Sequence, residues 1–351
     1  MRDAPWILYG AGGVTGRLVL AEALRRGHRP IVAGRDPSIH ALGEAHGLEA
    51  ASVSLDDADG LAALVRRGSR VLHIAGPYTV TAKPMLDACL ATRTPYLDLD
   101  GEIGSVSAMF GRDAEARAAR IPVVVGAGFG VSAAECIALY MASKVPDARR
   151  LLLGVNSANG YKSLGAALST LHVLGHGGAW IERGSLRSGS IAHTRFRATV
   201  DAVSHTFVAA PLAETLAVHR STGIPEVVAG IPVPSIMAII LRCAGPFIPM
   251  LLRRPRLRRF LERRMRKAQS ASPPLPPEST HHSFVWAQAS GEHGTSAAVL
   301  SLGEGYAFAA SAMVRASELL SSFDRDGIWT PGAAFGADFA TQIEGVRRYD
   351  A

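Results

Sequence analysis

Near the start of the chain, Gly10-Ala11-Gly12-Gly13-Val14-Thr15-Gly16 has the residue types and spacing to hold a phosphate. Gly10 permits a tight turn, Gly13 or Gly12 lets the backbone approach a pyrophosphate, and Gly16 lets a following helix pack closely on a preceding strand. Val14 and Thr15 then open that helix, where free N–H groups and the positive dipole end favour anions. Farther on, Gly34-Arg35-Asp36 stands where a second strand should end. Gly34 removes the acidic side chain that would accept from a ribose 2′-hydroxyl, and the planar fork of Arg35 can pair with a 2′-phosphate. A solvated loop arginine is the plain alternative. Asp36 leaves a further one open, since a shifted register would make it the ribose ligand.

Six more residues fall where strands should end: Asp56, Gly76, Pro77, Tyr78, Asp98 and Glu102. In a parallel sheet, ligands sit beyond the carboxyl ends of the strands. Asp56, Gly76, Pro77 and Tyr78 are therefore candidate cofactor contacts. Tyr78, Asp98 and Glu102 are candidate catalytic groups: a phenol can hydrogen-bond a substrate carbonyl, and a carboxyl can orient substrate or relay a proton. The structural alternatives are a Tyr78 packed against the cofactor and carboxylates that cap the next helix. His281-His282 has no further ligand at metal spacing, so no metal is expected. There is no Gly-x-Ser-x-Gly elbow and no His-Glu-x-x-His.

The elements that must position these residues alternate. Trp6–Tyr9 reads as a buried strand, Arg17–Arg26 as a helix with Gly27 behind it, and Pro30–Ala33 as a second strand. Strand, glycine loop, helix and strand within about 30 residues make a βαβ unit. Further strands are expected at Ala51–Leu55, Arg70–Ala75, Tyr96–Leu99 and Ile121–Val125. Helices are expected at Asp59–Arg67, from Pro84 to about Thr92, and near Gly111–Ala119. This rhythm predicts a Rossmann-type, doubly wound parallel sheet. With Arg35 at the second strand end, the cofactor reading is NADP(H) rather than NAD(H).

These residues resemble the saccharopine dehydrogenase-like oxidoreductases, particularly the branch called trans-acting enoyl reductases. The resemblance rests on Gly10–Gly16, Ala33-Gly34-Arg35, Gly76-Pro77-Tyr78-Thr79, Ala88-Cys89 and Tyr96-Leu97-Asp98-Leu99-Asp100-Gly101-Glu102. Gly305-Tyr306, Gly327-Ile328-Trp329-Thr330-Pro331-Gly332 and Phe335-Gly336 continue it. It is strong over residues 5–140 and weaker over 295–345. It implies an NADP(H)-binding domain, a mixed second domain and a reductase-type reaction. One departure stands out: where the family reads Gly-Phe-Asp-x-x-Pro-x-Asp, this chain has Gly128-Phe129-Gly130-Val131-Ser132-Ala133-Ala134-Glu135. Gly130 replaces the first Asp and Ala133 the Pro, so any role the family gives that Asp is not carried here.

With 351 residues, 48% of them apolar and 19% charged, the chain can build two domains with a sizeable core. The formal charge is +7, but Arg253–Lys267 alone holds nine Arg or Lys and one Glu. The basic excess is one segment and not a spread face, which argues against a nucleic acid partner. Cys89, Cys136 and Cys243 are odd in number, far apart and without CxxC spacing, which argues against a disulfide framework or zinc site. Arg2 and Asp3 lead straight into a strand, so no signal peptide is expected, and the chain reads as cytoplasmic.

After residue 127 the rhythm breaks. The expected arrangement is a Rossmann domain over 1–127, completed by 305–351 with a docking helix at Tyr306–Ser321. A mixed α+β domain over 128–304 would bind substrate and form a homodimer. Within it, strands are expected at Leu151–Val155, within Ser190–Val208, at Phe284–Ala289 and at Ala297–Leu302, forming a mostly antiparallel sheet. Ser163–Leu174 reads as a helix and Ser270–Pro277 as a loop. Ile231–Leu252 is apolar, but Pro232, Pro234, Pro246, Pro249 and Arg242 argue against a spanning helix. With the basic run behind it, segment 231–267 has two readings: an interfacial element on an anionic membrane, or a helical hairpin covering the second domain.

The expected function is an NADP(H)-dependent oxidoreductase that reduces a C=C (enoyl) or C=O bond of a hydrophobic acyl, lipid or polyketide-like substrate. The alternative is a non-catalytic NADP(H)-binding, membrane-associated scaffold. A saccharopine-like amino-acid dehydrogenase ranks third, since the second half offers no charged amino-acid pocket.

Overall fold

The computed structural model describes residues 5–157, 177–245, 251, 254–269 and 282–351. The expected Ser163–Leu174 helix, the Ser270–Pro277 loop and His281 lie outside them. In chain order the described elements begin with β1 (Ile7–Tyr9), α1 (Val14–Arg25), β2 (Ile31–Gly34), α2 (Ile39–His46), β3 (Ala50–Ser52) and α3 (Ala58–Val65). Then come β4 (Val71–His73), α4 (Tyr78–Thr92), β5 (Tyr96–Asp98), α5 (Ile103–Phe110), α6 (Asp113–Ala119), β6 (Pro122–Val124) and α7 (Phe129–Lys144). The next stretch holds β7 (Arg150–Asn156), β8 (Gly178–Glu182), β9 (Ser185–Gly189), β10 (Arg195–Val200), β11 (Val203–Ala209), α8 (Glu214–Thr222) and β12 (Glu226–Pro232). Last are α9 (Ser235–Ala244), α10 (Pro255–Gln269), β13 (Phe284–Gly291), β14 (Gly294–Ser301), α11 (Gly305–Leu320), β15 (Gly327–Trp329), α12 (Pro331–Phe335) and β16 (Arg347–Asp350).

Two compact units result: Met1–Ser132 with Tyr306–Phe335, and Ala133–Gly305 with Gly336–Ala351. The first holds a seven-stranded parallel sheet in the order β15-β6-β5-β4-β1-β2-β3. The chain builds outward from β1 through β2 and β3, then returns to place β4 on the other side of β1. The glycine turn after β1 thus lies at the point where the strand order reverses. Strands such as Ile7-Leu8-Tyr9 and Val71-Leu72-His73 are buried at every position, as a sheet covered on both faces requires. This is the expected α/β, doubly wound architecture.

Local differences have physical causes. Helix α4 begins at Tyr78 and carries Pro84 in its interior, not in its first turn. Two of the amides that open α4 are held by a carboxylate brought from after β5, as described below, so the start is set by a distant residue. Helices α2 and α5 were not foreseen. Helix α11 joins the first unit against α1: Arg26 Nη1 stands 3.2 Å from Glu318 Oε2, and Ser311 Oγ donates to Glu22 Oε1 at 3.3 Å.

The second unit is built on a mixed sheet, β10-β11-β12-β7-β13-β14-β16, with β8 and β9 attached at β12. Among the described residues only β7 and β12 run parallel in it; the other pairs are antiparallel. Its core gathers Phe207, Phe284, Trp286 and Val299, with Phe196 stacked on Phe207 at 5.3 Å. Gly154 stands in β7 because a Cβ there would lie 2.6 Å from the Phe207 ring. The last residues differ from the expected arrangement. β16 pairs with β14 from Ala298↔Asp350 to Ser301↔Arg347, so residues 336–351 complete the second sheet and not the Rossmann unit.

Glu214, at the start of α8, is buried and its Oε2 has no hydrogen-bond partner. Burial pushes its carboxyl from 4.5 up to about 7. The folded state therefore holds the proton more tightly than the unfolded chain, and this group's stability contribution is lost as pH rises from about 4.5 through about 7. The variant Glu214→Gln should be more stable than the wild type at about pH 8, by up to about 3 kcal/mol. That advantage should vanish below about pH 4.5 in thermal unfolding. An advantage that does not change with pH would contradict the raised protonation of the buried carboxyl.

Candidate functional site

At the carboxyl edge of β1, the backbone turns at Gly10 with φ +93°, and its N–H donates to the Ala33 carbonyl at 2.8 Å. A Cβ on Gly10 would press on the Ile74 backbone at 2.8 Å, and one on Gly16 would stand 2.1 Å from the Gly10 carbonyl oxygen. These two glycines are required by the protein's own packing. Gly12 and Gly13 are not. A Cβ on Gly12 would meet nothing within 4 Å, and one on Gly13 only the Gly10 oxygen at 3.4 Å. Both are exposed and leave bare backbone facing open space at the start of α1. No side chain caps α1, and its first turn, opened by Val14 and Thr15, holds no acidic residue. Shape and charge together fit a phosphate group here.

The end of β2 is also open: a Cβ on Gly34 would meet nothing within 4 Å. Arg35 is exposed, and its guanidinium makes no hydrogen bond or ion pair among the described residues. Asp36 is engaged, since its Oδ1 accepts from the Ser38 amide at 2.9 Å, and that bond holds its carboxyl below the usual range. Asp36 thus closes a turn, and Arg35 is left as the available cation. Asp56 is exposed after β3 and accepts from Ser54 Oγ at 3.4 Å. The charges of Arg35 and Asp56 both reach the Tyr9 phenol, which burial pushes up to about 12 and which donates to the Val53 carbonyl at 2.8 Å.

Beyond β4 and β5 the structure assembles a buried polar network. Glu102 receives two amides of the first turn of α4: Tyr78 N donates to Oε1 and Thr79 N to Oε2, each at 3.0 Å. Asp98 Oδ1 accepts from Gly126 N at 2.7 Å and Asp100 N at 3.0 Å, and its Oδ2 accepts from the Tyr96 hydroxyl at 2.8 Å. Asp100 Oδ1 in turn accepts from Glu102 N at 2.8 Å. Tyr78 donates its hydroxyl to the His73 carbonyl at 3.2 Å, and His73 Nδ1 lies 3.0 Å from the Tyr96 hydroxyl.

Burial governs the protonation of this network. It raises Asp98 to about 6 against the hydrogen bonds it accepts, and it raises Asp100 well above its ordinary value, helped by the neighbouring Asp98 charge. It holds His73 neutral by lowering its pKa to about 3, and it pushes the Tyr78 and Tyr96 phenols far up. The groups are therefore a neutral imidazole, two neutral phenols and two carboxyls that resist ionisation.

The structure brings Tyr78, Asp98 and Glu102 together, and each already has partners within the fold. Gly76 and Pro77 are exposed just before α4, and the Pro77 carbonyl accepts from Thr81 N at 3.1 Å. Gly130 lies in the first turn of α7, where nearby Ser132 Oγ donates to the Gly126 carbonyl at 3.3 Å. Sequence reasoning missed His73, Tyr96 and Asp100. A histidine in a strand buried on both faces must find a partner inside, and that was the available signal. Among the described residues, no group of three or more His, Cys, Asp or Glu side chains could hold a metal ion.

The capping role of Glu102 is testable apart from any turnover. Glu102→Gln keeps one acceptor oxygen but sets an NH2 group against an amide N–H. It should lower stability to urea by about 1–3 kcal/mol. Unchanged stability with lost turnover would instead place Glu102 in the chemistry.

Comparison with known proteins agrees with this geometry. Residues 6–129 match the family model described as the saccharopine dehydrogenase NADP binding domain. Over 187 residues the chain is 32% identical to a Mycobacterium tuberculosis protein, found in two strains, whose name proposes a trans-acting enoyl reductase. That match covers 49% of this chain and 45% of the relative, so it spans about half of each. The solved structure of apo saccharopine dehydrogenase (L-Glu forming) from Saccharomyces cerevisiae superposes with a TM-score of 0.67. It covers 99% of this chain and 100% of that one at 13% identity, which speaks for the fold alone. The open glycine turn and the available Arg35 thus lie within residues 6–129, the part of the chain that is similar to the NADP-binding domain of saccharopine dehydrogenase.

Proposed function

We propose that the chain is an NADP(H)-dependent oxidoreductase that reduces a C=C (enoyl) or C=O bond of a hydrophobic acyl, lipid or polyketide-like substrate. The observation that carries the cofactor half is the pairing of bare backbone at Gly12 and Gly13 with an unpartnered Arg35 beside Gly34. The enoyl half leans on the name of the relative that matches about half of this chain.

In this reading, the start of α1 with Gly12, Gly13, Val14 and Thr15 holds the pyrophosphate, and Arg35 holds the 2′-phosphate through its fork. Asp56 flanks the same end. Bound NADPH supplies a hydride. The exposed Gly76-Pro77 stretch borders the place for the nicotinamide half, at the carboxyl end of β4. Tyr78, Asp98 and Glu102 hold that edge rigid, with the Tyr78 phenol donating inward to His73. Hydride addition to the β-carbon of an α,β-unsaturated acyl group would leave an enolate whose α-carbon can take its proton from solvent, so the edge need not supply one.

That same commitment favours a second reading. All three candidate catalytic groups are occupied by the fold, and Gly130 stands where the family has an Asp. A non-catalytic NADP(H)-binding scaffold would look the same.

Calorimetry separates NADPH from NADH. Arg35→Ala should weaken NADPH binding by about 1–3 kcal/mol and leave NADH nearly unchanged. Equal losses for both cofactors would remove Arg35 from the 2′-phosphate. Single-turnover oxidation of NADPH in the presence of an α,β-unsaturated acyl thioester should proceed under the reductase reading. Tight NADPH binding without oxidation by thioesters or by matched ketones would move the scaffold ahead.

A further inference from the structure

The second unit carries an apolar surface that its own core does not use. Helix α9 rests on the unit through Ala238 and Leu241, which pack with Val208 and Ile231. Its other side presents Ile236, 66% exposed, Ile239, 51%, and Met237, 41%. Leu251 and Phe260 follow at 52% and 57%. Half of the large hydrophobic side chains that stand exposed among the described residues thus fall between Ile236 and Phe260. Scattered apolar side chains are ordinary on a soluble surface, but a run of this kind marks a site of contact.

Charge identifies what it contacts. In α10, Leu257, Leu261 and Met265 repeat every fourth residue as a half-buried row. Phe260 stands outside that row. Arg256, Arg263 and Arg264 lie four before, three after and four after it, on its side of the helix, and all are exposed. None of these three makes a hydrogen bond or ion pair among the described residues. A second copy of the chain would set these arginines against their own kind, which opposes association. A nucleic acid would satisfy the arginines but leave Ile236, Met237, Ile239 and Leu251 in water.

We propose that α9 and α10 dock the protein on the surface of an anionic lipid bilayer. Ile236, Ile239 and Phe260 enter the boundary between headgroups and acyl chains, while Arg256, Arg263 and Arg264 pair with headgroup phosphates. Docking is to the surface, since no helix among the described residues is long and apolar enough to cross a membrane.

The test is co-sedimentation of the full chain with vesicles of phosphatidylcholine, alone or mixed with phosphatidylglycerol. The chain should sediment with the mixed vesicles, and added salt should weaken the binding. Replacing Arg256, Arg263 and Arg264 together by Gln should lower the partition coefficient on the order of a hundredfold. The single variant Phe260→Ser should lower it as well, and NADPH binding and circular dichroism should match the wild type in both. The proposal fails if the full chain stays in solution, if neutral vesicles bind it as well, or if neither variant loses affinity. It also fails if Phe260→Ser abolishes concentration-dependent self-association and not vesicle binding, which would assign the face to a second copy. Duplex DNA that displaces the chain from vesicles with Phe260→Ser unchanged would assign it to nucleic acid.

Discussion

The approach of α1 to the turn after β1 leaves no room for a single added carbon. A Cβ on Gly16 would stand 2.1 Å from the Gly10 carbonyl oxygen, inside any allowed contact. From that contact much of the first unit follows. It fixes the angle at which α1 leaves the sheet, aims the amides of its first turn at the carboxyl edge of β1, and leaves Gly12 and Gly13 as open backbone. The reversal of strand order between β1 and β4 puts the same edge beside the His73 network. A helix held less tightly would still be a helix, but its dipole would not point at a defined spot.

The polar residues beyond β4 and β5 show a different economy. Three acids within five residues, Asp98, Asp100 and Glu102, are buried where charge is costly. Each takes backbone amides that would otherwise be unsatisfied: those of Gly126 and Asp100, of Glu102, and of Tyr78 and Thr79. The acids are thus the means by which the loops after β5 and β6 and the start of α4 are tied into one edge. Burial raises the protonation of Asp98 and Asp100.

The second unit divides its surfaces as clearly. Phe196, Phe207, Phe284 and Trp286 close one face of the mixed sheet. α9 packs through Ala238 and Leu241 on Val208 and Ile231, which point to the other face, and turns Ile236 and Ile239 outward. Large apolar residues turned outward depart from the usual pattern of a surface helix. The arginines of α10 give that departure a chemical sense, because a phosphate-bearing apolar surface accepts both.

Much of the first unit was legible. The glycine spacing, the strand–helix rhythm and Gly34-Arg35 predicted the parallel sheet, its switch point and the phosphate-binding turn, because each depends on short-range sterics that a few residues decide. The start of α4 was not legible, because Pro84 reads as a first-turn proline and the true start depends on Glu102, some 24 residues away. Nor was the fate of residues 336–351, since a short strand such as Arg347–Asp350 pairs wherever an edge is offered. The sequence by itself determined where backbone must be bare and where a cation must follow a strand, since Gly and Arg leave no substitute for those tasks. Only the tertiary structure decided which partners Tyr78, Asp98 and Glu102 meet. A carboxylate or phenol serves a substrate or a buried amide equally well, and which of the two it meets is set by residues far away in the chain.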